Sequence, residues 1–263
     1  MAISTHMPVL FLGHGSPMNA IEDSAWRRQW QRLGAMLPRP RAVLCVSAHW
    51  ETCGVAITAA AQPETIHDFG GFPRELFAVE YPAPGDPQLA QHIARRLGNE
   101  GVPVHLDPQR GLDHGTWSVL CAMYPNADIP VLQLSLDTRQ PGAWHYALAT
   151  RLAFLRSEGV LVLGSGNIVH NLMARRQYPD AAPDWAVRFR DRVTAAIVAR
   201  DHAALQDWPA LGADAALAVP TPEHYLPLLY ALALQREDEG AAIFNDDVYS
   251  TIAMTSVLIG AQL

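Results

Sequence analysis

The chain has little cysteine: Cys45, Cys53 and Cys121, an odd number with no C-x-x-C pair in 263 residues. That excludes a disulfide framework and a cysteine-based zinc site, and the three thiols are expected in the interior. No apolar run reaches the roughly 18 residues that a membrane helix requires, so no membrane span is expected. The opening residues MAISTHMPVLFL lack the positive region and small-residue cleavage site of a secretory leader, which makes the cytoplasm the expected location. Clustered cations are also missing. Arg95–Arg96 and Arg175–Arg176 are short pairs in a chain of net charge −7, which argues against a nucleic-acid backbone as partner. Internal repeats and low-complexity tracts are absent.

What is present is the composition of a globular α/β protein. With 49% hydrophobic and 17% charged residues the chain can bury a sizeable core, and a single domain over residues 1–263 is expected. Aliphatic and β-branched runs predict strands at Val9–Leu12, Ala42–Ser47, Val55–Thr58, Val102–Leu106, Val131–Leu136, Val160–Leu163, Ala242–Phe244 and Met254–Ile259. Amphipathic stretches alternate with them. Trp26, Trp30, Leu33 and Leu37 follow Asp23 or Ser24 as N-cap, and Leu89, Ile93 and Leu97 follow Asp86-Pro87. Further helices are expected at Thr116–Met123, Pro141–Ser157, Trp185–Ala199 and Pro222–Gln235, the last capped by Thr221. The pattern predicts a central, mostly parallel or mixed sheet flanked by helices. Two irregular stretches stand apart: a long loop, Thr58–Tyr81, carrying T-I-H-D-F-G-G-F-P, and Trp208–Pro220, which reads as a surface linker without a role.

Histidine placement carries the chemistry. His14 in G-H-G-S-P, His49 in S-A-H-W and His170 in G-S-G-N-I-V-H-N each fall just past an expected strand. The carboxyl ends of strands in open α/β sheets are where ligand-binding loops converge. Glycines at 13, 15, 164 and 166 permit tight turns that aim a side chain into such a crevice. His224 in T-P-E-H-Y-L-P-L-L is placed in the first turn of an expected helix, where the macrodipole favours the neutral, metal-binding imidazole. Glu223 is its alternative, but neighbours on a helix diverge by about 100°, which favours His224. Competing motifs fail: there is no H-E-x-x-H and no P-loop, Leu163 breaks a G-x-S-x-G elbow around Ser165, and Val169 occupies the third-glycine position of a dinucleotide fingerprint.

Taken in order, G-H-G-S-P, S-A-H-W, T-I-H-D-F-G-G-F-P, D-H-G-T-W and P-E-H-Y-L-P-L resemble the class III extradiol ring-cleavage dioxygenases, more narrowly the 4,5-DOPA-extradiol-dioxygenase type. The resemblance implies a single-domain enzyme with one mononuclear non-haem Fe²⁺, sometimes isolated with Zn²⁺, that opens a catechol beside its hydroxyls with O₂ to give a semialdehyde. It implies His14, His49 and His224 as metal ligands, His170 as base or fourth ligand, and His114 as a second active-site histidine that stabilises charge. His67, Asp68 and Phe69 are expected to cover the cleft and meet the substrate, against the alternative of a loop packed by its own aromatics. The better-known branch of the class uses two histidines and a carboxylate, whereas this pattern offers three or four histidines. Three histidines also suit catalytic zinc, so a zinc hydrolase and a non-catalytic metal-binding relative remain open alternatives.

Overall fold

The structure, a computed structural model, describes residues 6–263. Its elements run β1 (Val9–Gly13), α1 (Ala25–Met36), β2 (Ala42–Glu51), β3 (Val55–Thr58), α2 (Arg74–Phe77), α3 (Pro87–Asn99), β4 (Val104–Asp107) and α4 (His114–Met123). They continue with β5 (Val131–Leu136), α5 (Gly142–Thr150), α6 (Phe154–Ser157), β6 (Val160–Gly166), α7 (Asp184–Val198), α8 (His202–Gln206) and α9 (Ala215–Ala218). The last are α10 (Leu226–Leu232), β7 (Ala241–Phe244), β8 (Val248–Tyr249), β9 (Ile252–Ala253) and β10 (Ser256–Ile259). Eight strands form one mixed sheet in the order β4-β3-β5-β2-β6-β1-β10-β7, and β8 pairs with β9 apart from it.

The central four strands β5, β2, β6 and β1 are mutually parallel, while β3 and β10 run antiparallel to their inner neighbours. Central parallel strands must be apolar on both faces because helices cover both. Here Val9 and Phe11 of β1, Leu44 and Val46 of β2 and Val162 of β6 face a core shared with α3, α5, α7 and α10. Their neighbours Leu10, Leu12, Val43, Cys45 and Leu163 face the opposite core with α1 and α4. The expected α/β layering is therefore observed, with β1, β6 and β2 side by side and their carboxyl ends at one edge. No helix among the described residues is long and apolar enough to cross a membrane.

Several boundaries differ from expectation. Strand β2 runs on to Glu51, so His49 sits inside the strand rather than after it, within a break in register with β5 between Val46 and Glu51. The stretch Pro141–Ser157 is two helices, interrupted at residues 151–153. The helix expected from Pro222 begins only at Leu226, because Pro227 rather than Pro222 occupies its first turn. Thr221 does not cap it; its hydroxyl donates to Glu223 Oε1 at 2.8 Å. Of the two candidate caps before α1, Ser24 accepts from Arg27 N–H. The segment read as a surface linker contains α9, whose Ala215 and Ala218 are buried. It has a role after all: the Ala218 carbonyl accepts the His170 backbone N–H at 2.9 Å.

Candidate metal centre

Strand β1 and its turn, the last part of β2, the loop after β6, the first turn of α4 and the segment before α10 deliver the histidines. His14 follows β1 directly, and its N–H donates to the carbonyl of Gly166 at the end of β6, 3.1 Å away. Gly166 also lies against the backbone of His224, where a Cβ would collide with the His224 carbonyl oxygen. That carbonyl in turn accepts from Asn167 N–H at 2.8 Å. The end of β6 thus ties His14 and His224, distant in sequence, to one point. Gly15, at φ +62°, turns the chain away immediately after His14.

His49 is held through its main chain. Its N–H donates to Ser47 Oγ at 3.2 Å and its carbonyl accepts from Arg110 at 3.2 Å. Ser47 donates to the fully buried Asp113 at 2.7 Å, and Asp113 also accepts from Gln133 Nε2 at 2.6 Å and caps α4. Residues from β2, β5 and the N-terminus of α4 therefore brace this histidine.

The tautomers of two rings follow from their partners. Ser165 Oγ donates its only proton to the Gly115 carbonyl at 2.5 Å, so toward His14 Nδ1, 3.0 Å away, it can only accept. The proton of His14 is thus on Nδ1, and Nε2 presents a lone pair. Glu223 Oε1, 3.1 Å from His224 Nδ1, imposes the same tautomer on His224. His224 Nε2 is buried and has no hydrogen-bond partner. An unpartnered buried nitrogen lone pair is costly and calls for a ligand.

His49 Nε2 stands 3.2 Å from His14 Nε2. Two imidazole nitrogens on a common first-row ion lie roughly 3.0–3.4 Å apart, given bonds of about 2.1 Å. Ligand atoms of His14, His49 and His224 all fall within 4.8 Å of one another. Burial first, then the neighbouring imidazoles, pushes His14 and His224 well below the ordinary histidine range; the same causes bring His49 down to about 4. All three are neutral at pH 7, the form that binds metal. The donor set fits one iron or zinc ion.

His170 lies flat on His224, ring centroids 3.5 Å apart and planes 10° from parallel. It is outside the group formed by His14, His49 and His224 but forms a second candidate metal-holding group with Glu223 and His224, and burial lowers its pKa to about 4. His114 packs against His49 at 3.9 Å between centroids, and Asp68 Oδ1 accepts from both its backbone N–H (2.9 Å) and its Nδ1 (3.0 Å). Burial would raise the Asp68 carboxyl, but these hydrogen bonds and the His114 charge outweigh it and hold the pKa at about 2. Phe69 sets its ring edge-on to His114 at 5.6 Å. His67 turns elsewhere: its Nε2 meets the Val79 carbonyl at 2.9 Å, and its ring sits among Phe69, Phe77 and Trp117. The structure thus brings Asp68 and Phe69 to the histidines and leaves His67 packed within its own loop.

Sequence reasoning missed Ser165, the Asp113 brace and the real task of Glu223, weighed only as a rival ligand. Ser165 was visible between two glycines at a strand end, and Asp113 as the cap in D-H-G-T-W. Neither carries a local signal for its partner.

Comparison with known proteins agrees with this geometry. The family model described as the catalytic LigB subunit of aromatic ring-opening dioxygenase matches residues 1–259. A protein of Escherichia coli K12 named 4,5-DOPA dioxygenase extradiol is 47% identical over 98% of this chain and 96% of its own. One of the same name from Beta vulgaris is 37% identical over 90% of each. The crystal structure of an uncharacterized protein from Escherichia coli K12 superposes with TM-score 0.84 at 42% identity, covering 97% of this chain and 100% of that one. The chain therefore belongs to the LigB family of class III extradiol, aromatic ring-opening dioxygenases.

Proposed function

We propose that this enzyme opens the ring of a small catechol, such as DOPA, beside its two hydroxyls, giving a semialdehyde. One Fe²⁺ on His14, His49 and His224 would serve it, within a single catalytic domain spanning residues 1–263. The observation that carries this reading is the pair of fixed tautomers, which leaves His14 Nε2 and the unpartnered His224 Nε2 as lone pairs turned to a common point. When bound, the ion supplies Lewis acidity toward the catechol oxygens and a redox route between ring and O₂. Both oxygen atoms end in the product, so no external reductant is needed. The same donor set suits zinc-bound hydroxide, but the family's ring-opening activity favours the oxygenase.

The protein's own groups divide the remaining work. His170, neutral and buried beside His224, accepts a catechol proton at its imidazole. His114 is held at Nδ1 by the ionised Asp68 and stabilises negative charge that develops on oxygen. Phe69 offers an aromatic edge to the ring.

Anaerobic reconstitution with Fe²⁺, followed by oxygen-electrode and absorbance traces with L-DOPA beside a Zn²⁺-loaded control, tests the proposal. Oxygen uptake with a new yellow chromophore in the iron form alone is expected; no uptake at verified iron occupancy across several catechols overturns it. His170→Gln is expected to keep its iron and lose roughly 10²–10⁴-fold in kcat/KM.

A further inference from the structure

A cavity of about 350 Å³ opens beside the histidines, outside the groups assigned above. Its wall includes Gly15, next to His14, and Ile252, whose backbone bridges to that of His170, which puts this vestibule alongside the metal centre. Trp26, Phe72, Tyr249 and Met254 give it an apolar lining. Trp26 is fixed by donating Nε1–H to Asp247 at 3.2 Å, and Phe72 stands edge-on to Phe69, 5.4 Å away. A substrate that uses this neighbouring space must meet the histidines with its aromatic body and extend a substituent into it.

Two opposite charges line the vestibule: Arg175 and Glu22. Among the described residues, neither side chain has a hydrogen-bond or ion-pair partner, and they do not pair with each other. The Arg175 guanidinium is near enough to His170 for its charge to act on that ring. Most arginines here behave otherwise: Arg156, Arg188 and Arg190 are each committed to a carboxylate. A separated, uncommitted cation and anion in one aromatic-lined cavity match a ligand that carries both charges on one tail.

We infer that Arg175 and Glu22 are specificity-determining residues that select catechols bearing an α-amino-acid tail, Arg175 taking the carboxylate and Glu22 the ammonium. The inference rests on the catechol reading above. It adds that a tail with both charges is preferred to one with either or neither. Guanidinium matches a carboxylate in a two-pronged hydrogen-bonding geometry.

The test uses iron-loaded wild type, Arg175→Gln, Arg175→Glu and Glu22→Gln with four catechols: L-DOPA, 3,4-dihydroxyphenylpropionate, dopamine and 4-methylcatechol. Each kcat/KM is read as a ratio to that for 4-methylcatechol, which removes losses from misfolding or low iron. Arg175→Gln is expected to lower the ratio roughly tenfold for the two carboxylate-bearing catechols and not for dopamine. Arg175→Glu should raise dopamine above 3,4-dihydroxyphenylpropionate, and Glu22→Gln should lower L-DOPA and dopamine together. Ratios that stay within twofold of wild type, or that fall equally for all three charged substrates, overturn the inference. If no catechol is consumed by any form, the catechol reading fails separately, and calorimetric titration of L-DOPA and its methyl ester decides the vestibule. Affinity for the free acid that depends on Arg175 then supports the assignment, and affinity that does not depend on it overturns it.

Discussion

His145 and His224 lie in different parts of the molecule and look alike by most measures. Both are buried, and burial depresses both pKa values. They differ in what their nitrogens meet. His145, on α5 and facing α10, has Tyr230 Oη 3.0 Å from Nδ1 and the Asp137 carbonyl 3.1 Å from Nε2, so it is a satisfied core residue. His224 has Glu223 on one side and nothing on the other. Burial and a lowered pKa therefore do not distinguish a ligand from a structural histidine; an unanswered lone pair does.

The largest effect that could break this comparison is on metal content. His14→Ala, His49→Ala or His224→Ala is expected to take metal from one ion per chain to a small fraction by elemental analysis, and turnover down by at least about 10³-fold. His145→Ala should keep its metal and instead lose about 2–4 kcal/mol in urea unfolding, from a cavity and an orphaned tyrosine hydroxyl. Metal retained in all three ligand variants would sink the site.

A smaller effect sharpens the role of the partnered nitrogen. Ser165→Ala frees His14 Nδ1 without touching Nε2, so competition with a chelator should show metal affinity lower by roughly 10–100-fold. Unchanged affinity would mean that the tautomer is fixed by something other than Ser165.

The smallest effect is on stability against pH. His49, His170 and His145 have folded pKa values near 4, below the unfolded value of 6.5. Below 6.5 the unfolded chain binds the additional protons, so stability present above that value is lost as pH falls toward 4. Urea midpoints of the metal-free protein should decline through that window. His145→Gln should make the decline shallower through loss of one titrating core group, and saturating metal should raise the midpoints most at the upper end. A profile flat between pH 6.5 and 4 would contradict the burial argument.

Much of this was legible in the sequence because the relevant signals were local. Runs such as Val131–Leu136 announce strands, and the placement of His14 announces a strand end, without tertiary information. The helix before which His224 sits was misplaced because two prolines, Pro222 and Pro227, both satisfy the rule for a first turn, and only packing selects the second. Ser165 was not read as a partner for His14 because a hydrogen bond across 151 residues leaves no trace in spacing, and Glu223, adjacent to His224, was weighed only as a rival ligand. The meeting of His14 with His224 came from family resemblance, since no periodicity joins residues from opposite ends of a chain.

The seat of that meeting, Gly166, bears on how the protein matures. Its peptide group receives His14 from the first strand, while its bare α-carbon admits the segment that carries His224. Until the first strand, the sixth strand and that late segment have docked together, the three ligand nitrogens do not share a space. Long-range closures of this kind come late in assembly, after local structure has formed. An ion bound at these histidines would thus be captured at the completion of folding, not used as an early template around which the chain condenses.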